Sequence, residues 1–315
     1  MARIKTIDAE VGGEAVRLII SGAPALSGRT MMEKLNALRK RGGELRRLLM
    51  LEPRGHSGMH GAILTTPVSP NAHAGILSMH AGGFPLVSGE GIVGAVTIAL
   101  ENRLIEGVAD EVIVDTPSGV FRARPCRSGT QVTSVAVTGI PSFVHSAGLP
   151  LRVGARDIVA DIAFGGEFYV IADSEAVGIP IDVANADALI RAGREIKEAA
   201  ESAVSCLHPR MPGIKGIHGT ILTGAARGEA DLCSATVLDG NVLRRSPGIT
   251  GTAALIAIVD AMGLLDDARG FTHEGVMGTI VQGGVIDRRS AEPPEIVPVI
   301  EASASITGYH EFVSG

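Results

Sequence analysis

The run Ile92-Val93-Gly94-Ala95-Val96-Thr97-Ile98-Ala99-Leu100 carries no charge, and none appears until Glu101. A surface helix shows one apolar stripe, so a helix apolar on every side has to be buried. Just ahead of it stands Val87-Ser88-Gly89-Glu90-Gly91, a glycine-rich turn that opens directly into the apolar run. Helix N-termini carry unpaired backbone N–H groups and a partial positive charge, which bind carboxylates and phosphates. The stretch therefore predicts an anion site at the tip of a buried helix.

The same construction returns in the second half. Ser246-Pro247-Gly248-Ile249-Thr250-Gly251-Thr252 leads into Ala253-Ala254-Leu255-Ile256-Ala257-Ile258-Val259, where the next charge is Asp260. His60-Gly61-Ala62-Ile63-Leu64 precedes the first turn, and His218-Gly219-Thr220-Ile221-Leu222 precedes the second. Ser88 follows its histidine by 28 residues and Gly248 follows its own by 30. Two halves of one plan predict a duplicated fold with a site between them. The competing reading is a chance likeness of two glycine-rich turns.

Composition narrows the class of function. A chain of 315 residues with 45% hydrophobic and 20% charged residues has the makings of a soluble globular protein with an ample core. Net charge is −6 and the basic runs are short, which argues against nucleic acid as a partner. No apolar stretch reaches the ~20 residues of a membrane span, and the first residues form no signal-like run. Cys126, Cys206 and Cys233 show no CxxC spacing, so free thiols and a cytoplasmic location are expected. Neither glycine-rich turn fits a nucleotide-binding pattern. His56, His60 and His218 match no metal-ligand spacing, and strand-end structural roles are expected for the echoed pair. No cofactor or metal is expected, and a homodimer is compatible with the sequence.

Along the chain, helices are predicted over 30–49, broken at Gly42-Gly43, and over 184–207. Thr30 with Glu33 forms a capping-box pattern. Thr116-Pro117-Ser118-Gly119 is a hairpin signal. Short strands are expected over 277–281, 295–300 and 303–306. The predicted class is α+β, with one lobe over 1–138 to which 303–315 returns and a second over 139–302.

These stretches together resemble the proline racemase superfamily. Matching segments are Ile7-Asp8 with Gly12-Gly13-Glu14 and Arg17, Met50-Leu51-Glu52-Pro53-Arg54-Gly55-His56, Asp115-Thr116-Pro117-Ser118-Gly119, and Asp161-Ile162-Ala163-Phe164-Gly165-Gly166-Glu167-Phe168. Others are His208-Pro209, Arg245-Ser246-Pro247, Thr250-Gly251-Thr252 and Ile306-Thr307-Gly308. The resemblance implies two pseudo-symmetric lobes of the diaminopimelate-epimerase type, each a curved sheet around a central helix. It also implies a small imino or amino acid substrate held by its carboxylate at the helix tips, and no cofactor.

Where the family usually places two catalytic cysteines, this chain has Ser88 and Gly248. A histidine two residues after the first is Glu90, the glycine after the second is Ile249, and an aspartate four residues before the second is Arg244. Glu10 replaces another common histidine. Gly248 has no side chain and can neither give nor take a proton, so two-base racemisation through this pair is excluded unless a side chain or water substitutes. Ser88 needs an adjacent base to act, whereas a thiol titrates near ~8.5. Glu90 is either that base or a group that binds the substrate's ring ammonium or pairs with Arg244. Family members that act as trans-3-hydroxyproline dehydratases need a base on one face only, and the loss at Gly248 is similar in kind.

The leading expectation is therefore a one-sided, dehydratase-like enzyme. Its catalytic residues would be Ser88 and Glu90. Its substrate-binding residues would be Gly89, Gly91, Arg244, Gly248, Ile249, Thr250 and Gly251. An epimerase using Glu90 or water, and a catalytically silent binder of a small carboxylate, are the alternatives. Thr250 and Thr252 are expected to cap the second helix, and Cys126 and Cys233 to be buried and inert.

Overall fold

The computed structural model describes residues 3–106 and 110–313. Contacts divide the chain into two units, Met1–Thr138 with Glu301–Gly315, and Gly139–Ile300.

In the first unit the strands are β1 (Arg3–Val11), β2 (Glu14–Ser21), β3 (His60–Thr65), β4 (Ala74–His80), β5 (Val112–Thr116), β6 (Gly119–Ser128) and β7 (Gln131–Thr138). Helices α1 (Met31–Arg41) and α2 (Gly43–Met50) fall between β2 and β3, and α3 (Gly89–Glu101) falls between β4 and β5. The sheet runs in order from β1 to β7. The last strand of the chain, Glu295–Val313, continues it and pairs back onto β1, so the sheet closes on itself. Helix α3 packs against β1, β2, β3, β6 and β7. Every residue from Gly89 to Ala99 is buried, as a helix apolar all round requires.

The second unit holds β8 (Phe143–Val153), β9 (Arg156–Phe164), β10 (Phe168–Asp173), β11 (Gly219–Gly224), β12 (Leu232–Leu238), the short β13 (Val242–Leu243), β14 (Phe271–Gly275), β15 (Ile280–Arg289) and the start of β16 (Glu295–Val313). Helices α4 (Ser174–Val177) and α5 (Ala186–Ala203) precede β11, and α6 (Ile249–Ala261) precedes β14. Backbone hydrogen bonds between Ser142 and Ile296, 2.8 and 2.9 Å long, tie the strand ends together. Helix α6 packs against β8, β9, β10 and β15, and Ile249 to Ile258 are all buried.

Pairing direction repeats between the units. From β1 to β6 the ladders alternate antiparallel, parallel, antiparallel, parallel, antiparallel. From β9 to β15, leaving β13 aside, they follow the same alternation. Each parallel pair needs a long crossover, which helices supply. In both units the 13-residue central helix follows an antiparallel pair begun by the echoed His-Gly segments. The duplication read from two turns thus extends through the whole topology.

The break expected at Gly42-Gly43 divides the helix predicted over 30–49 into two, since Gly42 ends α1 and starts α2. A Cβ at Gly42 would lie 2.8 Å from the Leu38 carbonyl and 3.1 Å from the Phe84 ring. Thr30 caps α1 by accepting the Glu33 N–H at 3.1 Å, while the Glu33 carboxylate takes the N–H of Arg29. Helix α5 stops at Ala203 rather than running to 207, since Val204 is already extended and Leu207 bridges to Lys215. The strand expected over 277–281 begins only at Ile280, and the two expected over 295–300 and 303–306 are one strand of 19 residues.

One buried ion pair ties the first unit together. Asp8 and Arg17 are register partners on β1 and β2, and the guanidinium forks onto the carboxylate with bonds of 2.8 to 3.2 Å. Arg17 also donates to the carbonyls of Leu49 and Arg54 and lies 4.6 Å from the centre of the Phe312 ring. Breaking a buried pair from one side strands the other charge. Asp8→Ala should therefore cost about 3–5 kcal/mol, read as a lower urea midpoint.

Candidate active site

Ser88 caps α3. Its backbone is extended, its carbonyl accepts the Ile92 N–H at 2.9 Å, and its Oγ accepts the Gly91 N–H at 3.0 Å. A second partner of Oγ is His60, whose Nδ1 lies 3.0 Å away. Ser88 and His60 are 6% and 4% exposed, so the contact is shielded from bulk water. His60 opens β3, and the 28 residues of β3, β4 and the turn bring it back beside the helix cap. Gly89, Glu90 and Gly91 form the buried first turn. There the helix favours a carboxylate such as that of Glu90.

The structure thus gathers Ser88, Gly89, Glu90 and Gly91 around one helix tip and adds His60. Sequence reasoning gave His60 a structural role at a strand end. His60 does open β3, and it also contacts the Ser88 hydroxyl. The available signal was the echo itself, which placed a histidine 28 and 30 residues before the two helix caps.

The second tip is built differently. Gly248 caps α6 with φ +83° and ψ 133°, a conformation that side chains disfavour, and it offers no side-chain cap. Ile249, Thr250 and Gly251 form the buried first turn. Arg244, buried in the approach to this turn, donates its N–H to the Thr236 carbonyl at 2.8 Å.

The threonines do not cap the helix in the expected way. Thr250 Oγ1 lies 2.7 Å from the Tyr169 hydroxyl. Thr252 Oγ1 donates back to the Gly248 carbonyl at 2.6 Å and lies 2.8 Å from His273 Nδ1. Since that hydroxyl has a single hydrogen, Nδ1–H of His273 donates to Thr252, and Nε2, 2.7 Å from Ser234 Oγ, accepts the serine proton. The neutral ring is fully satisfied, and complete burial drives its pKa down to about 3.

Other singled-out residues serve the scaffold. His208 stands edge-on to Phe143 and Phe164 and accepts the N–H groups of Arg210 and Met211 at Nδ1. Burial, assisted by Arg210, lowers its pKa to about 4. Asp115 accepts the N–H groups of Val68 and Ser69 at 2.8 Å, which fixes the loop before β4. Glu10 holds the Gly13 N–H across the β1–β2 turn. Burial raises the Cys233 thiol, and burial with Glu201 raises Cys206 to about 11, so neither is a ready thiolate. Cys126, expected to be buried, is exposed on β6. Among the described residues no cluster of three His, Cys, Asp or Glu could hold a metal, and no helix is long and apolar enough to cross a membrane.

The family model described as proline racemase matches residues 6–314. A trans-3-hydroxy-L-proline dehydratase of Bacillus cereus is 36% identical over 312 residues, covering 98% of this chain and 93% of the relative. The proline racemase of Clostridioides difficile is 31% identical over 315 residues, covering 98% and 94%. A crystal structure of a hydroxyproline epimerase from Agrobacterium vitis, with bound trans-4-OH-L-proline, superposes with TM-score 0.91 at 26% identity over 99% of this chain and 93% of that one. The chain belongs to the proline racemase family, and its fold is the α+β fold of that family.

Two outcomes follow from the second tip. Gly248→Ala forces a Cβ into a positive-φ backbone and should cost about 1–2 kcal/mol in urea unfolding. A cysteine placed there meets the same strain. The buried histidines set a pH dependence. Both are neutral in the fold but titrate at about 6.5 once unfolded, so the stability they contribute is complete above that pH. It is lost as pH falls through about 4 for His208 and about 3 for His273. The urea midpoint should fall with acidification over this window, and His273→Gln should flatten the fall.

Proposed function

We propose that the chain is an enzyme that removes the α-proton of a small cyclic imino acid from one face, and that its preferred substrate is a 3-hydroxyproline, which loses water. The observation that carries this is the asymmetry of the two helix caps. The first presents the Ser88 hydroxyl, whereas the second is Gly248, held at φ +83°. Inversion needs a proton delivered to the face opposite the one deprotonated, and elimination needs none there.

The stereochemistry of the substrate fits a one-sided catalyst. In trans-3-hydroxy-L-proline the hydroxyl lies on the ring face opposite the carboxylate. The α-hydrogen, bound to the same carbon as the carboxylate, lies on that opposite face too. One group of side chains can therefore take the α-hydrogen and protonate the departing hydroxyl. Support also comes from the 36%-identical relative, itself named a dehydratase of this compound.

In this reading Ser88 Oγ accepts the α-proton. The substrate carboxylate is bound by first-turn N–H groups such as those of Gly89 and Glu90, where the helix end favours an anion. Glu90 neutralises the ring ammonium, a role that suits a carboxylate buried in the first turn. The cap of α6, Gly248, offers no side-chain base.

The test is a panel of proline, 3-hydroxyproline and 4-hydroxyproline stereoisomers in deuterated water. The expected result is loss of water from trans-3-hydroxy-L-proline to give Δ1-pyrroline-2-carboxylate, with α-exchange in the other isomers retaining configuration. Inversion of L-proline or a 4-hydroxyproline at a comparable rate would replace this reading with that of an epimerase. Binding without exchange across the panel would mark a silent carboxylate binder.

A further inference from the structure

We infer that His60 takes the hydroxyl proton of Ser88 and so turns that hydroxyl into a base. The inference rests on the reading above, in which Ser88 removes the α-proton.

A serine hydroxyl alone is a poor base at neutral pH and acts only with a proton acceptor in contact. Nδ1 of His60 lies 3.0 Å from Oγ, within the reach such a pair requires. The valences of Oγ fit the role. One lone pair accepts the Gly91 N–H at 3.0 Å. In the His60 tautomer whose Nδ1 carries no hydrogen, the hydroxyl donates to Nδ1, which leaves the second lone pair for the α-hydrogen. Developing negative charge on Oγ is met by the Gly91 N–H and by the positive end of α3. The position before Gly61 thus supplies what a thiol at the helix cap would not need, because a thiol ionises near ~8.5 unaided.

The steps balance without any further reactant. Oγ takes the α-hydrogen as its own hydrogen passes to Nδ1, and the electron pair left on Cα is delocalised into the carboxylate. That pair then forms the Cα–Cβ double bond while the Cβ–O bond breaks. The imidazolium returns its proton through Oγ to the departing hydroxide, which leaves as water. Ser88 and neutral His60 are restored. His60 acts through Ser88, so it is a positioning residue.

The test compares His60→Gln in two backgrounds, the natural chain and Ser88→Cys. In the natural chain it should lower the α-exchange or elimination rate by about 100-fold or more, the scale of general-base catalysis. In the Ser88→Cys background the loss should be under about tenfold, since the thiolate needs no relay. Equal losses in both backgrounds, or none in the natural chain, would overturn the inference and leave His60 a packing residue. A second readout does not depend on the substrate: modification of Ser88 by methanesulfonyl fluoride, located by peptide mass spectrometry. Labelling lost in His60→Gln supports the relay even if no member of the panel exchanges, in which case the proposed function fails and the pair stands. Labelling that is absent or independent of His60, in a protein without exchange, overturns the pair as well.

Discussion

Burying a helix on every side solves one problem and creates another. Helix α3 and helix α6 each remove an entire apolar surface from water, and this burial is the main favourable term holding each sheet around its helix. Burial also takes the first-turn N–H groups out of bulk solvent, where an unpaired donor is costly. Each tip must therefore be furnished with acceptors from the protein or from a bound anion. The anion-binding character of the tips is a consequence of the core, and the residues around them are answers to a hydrogen-bonding requirement before they are chemistry.

The two units answer that requirement in different ways on one backbone plan. At α3 the cap is a side chain: Ser88 Oγ takes the Gly91 N–H and at the same time touches His60. At α6 the cap is a glycine in a left-handed conformation, and rigidity comes from behind the helix. Thr252 bonds to the Gly248 carbonyl and to His273, which in turn engages Ser234 on β12. A histidine thus supports each tip, but from different strands and to different effect. His60 contacts a hydroxyl at the cap, whereas His273 is locked neutral with both nitrogens used.

Much of this was legible in the sequence because burial and backbone geometry leave period and composition marks. An uncharged run longer than two helical turns after a glycine turn admits few structures, and its repetition announced the duplicated topology. Asp8 and Arg17 could be singled out as a motif, but their role could not, because ladder register decides that they meet. The contact between His60 and Ser88 was hidden for a similar reason: it joins the start of β3 to the cap of α3 across two strands and a turn. Thr252 was misread as a cap because the sequence does not show which way a hydroxyl rotates, and His273 was invisible without the pairing of β12 and β14. The last stretch was read as two strands, although its polar positions alternate over Glu301 to Glu311 as in a single one and the ladder to β1 is continuous apart from one bulge.

A fold of this kind separates what must be kept from what is free to change. The helix tips need acceptors, and serine meets that need as a cap; the requirement says nothing of acidity. Exchanging a thiol for a hydroxyl at the cap therefore leaves the scaffold satisfied while removing a group that ionises near ~8.5. Chemistry at such a cap then depends on what the neighbouring strand presents to it, which here is His60 at 3.0 Å. At Gly248 the backbone holds a conformation that side chains avoid, so a side chain placed there meets strain. Under the proposed relay the first change is offset by one histidine, whereas the second is a matter of backbone conformation. The fold thus accommodates two unlike caps on one backbone plan.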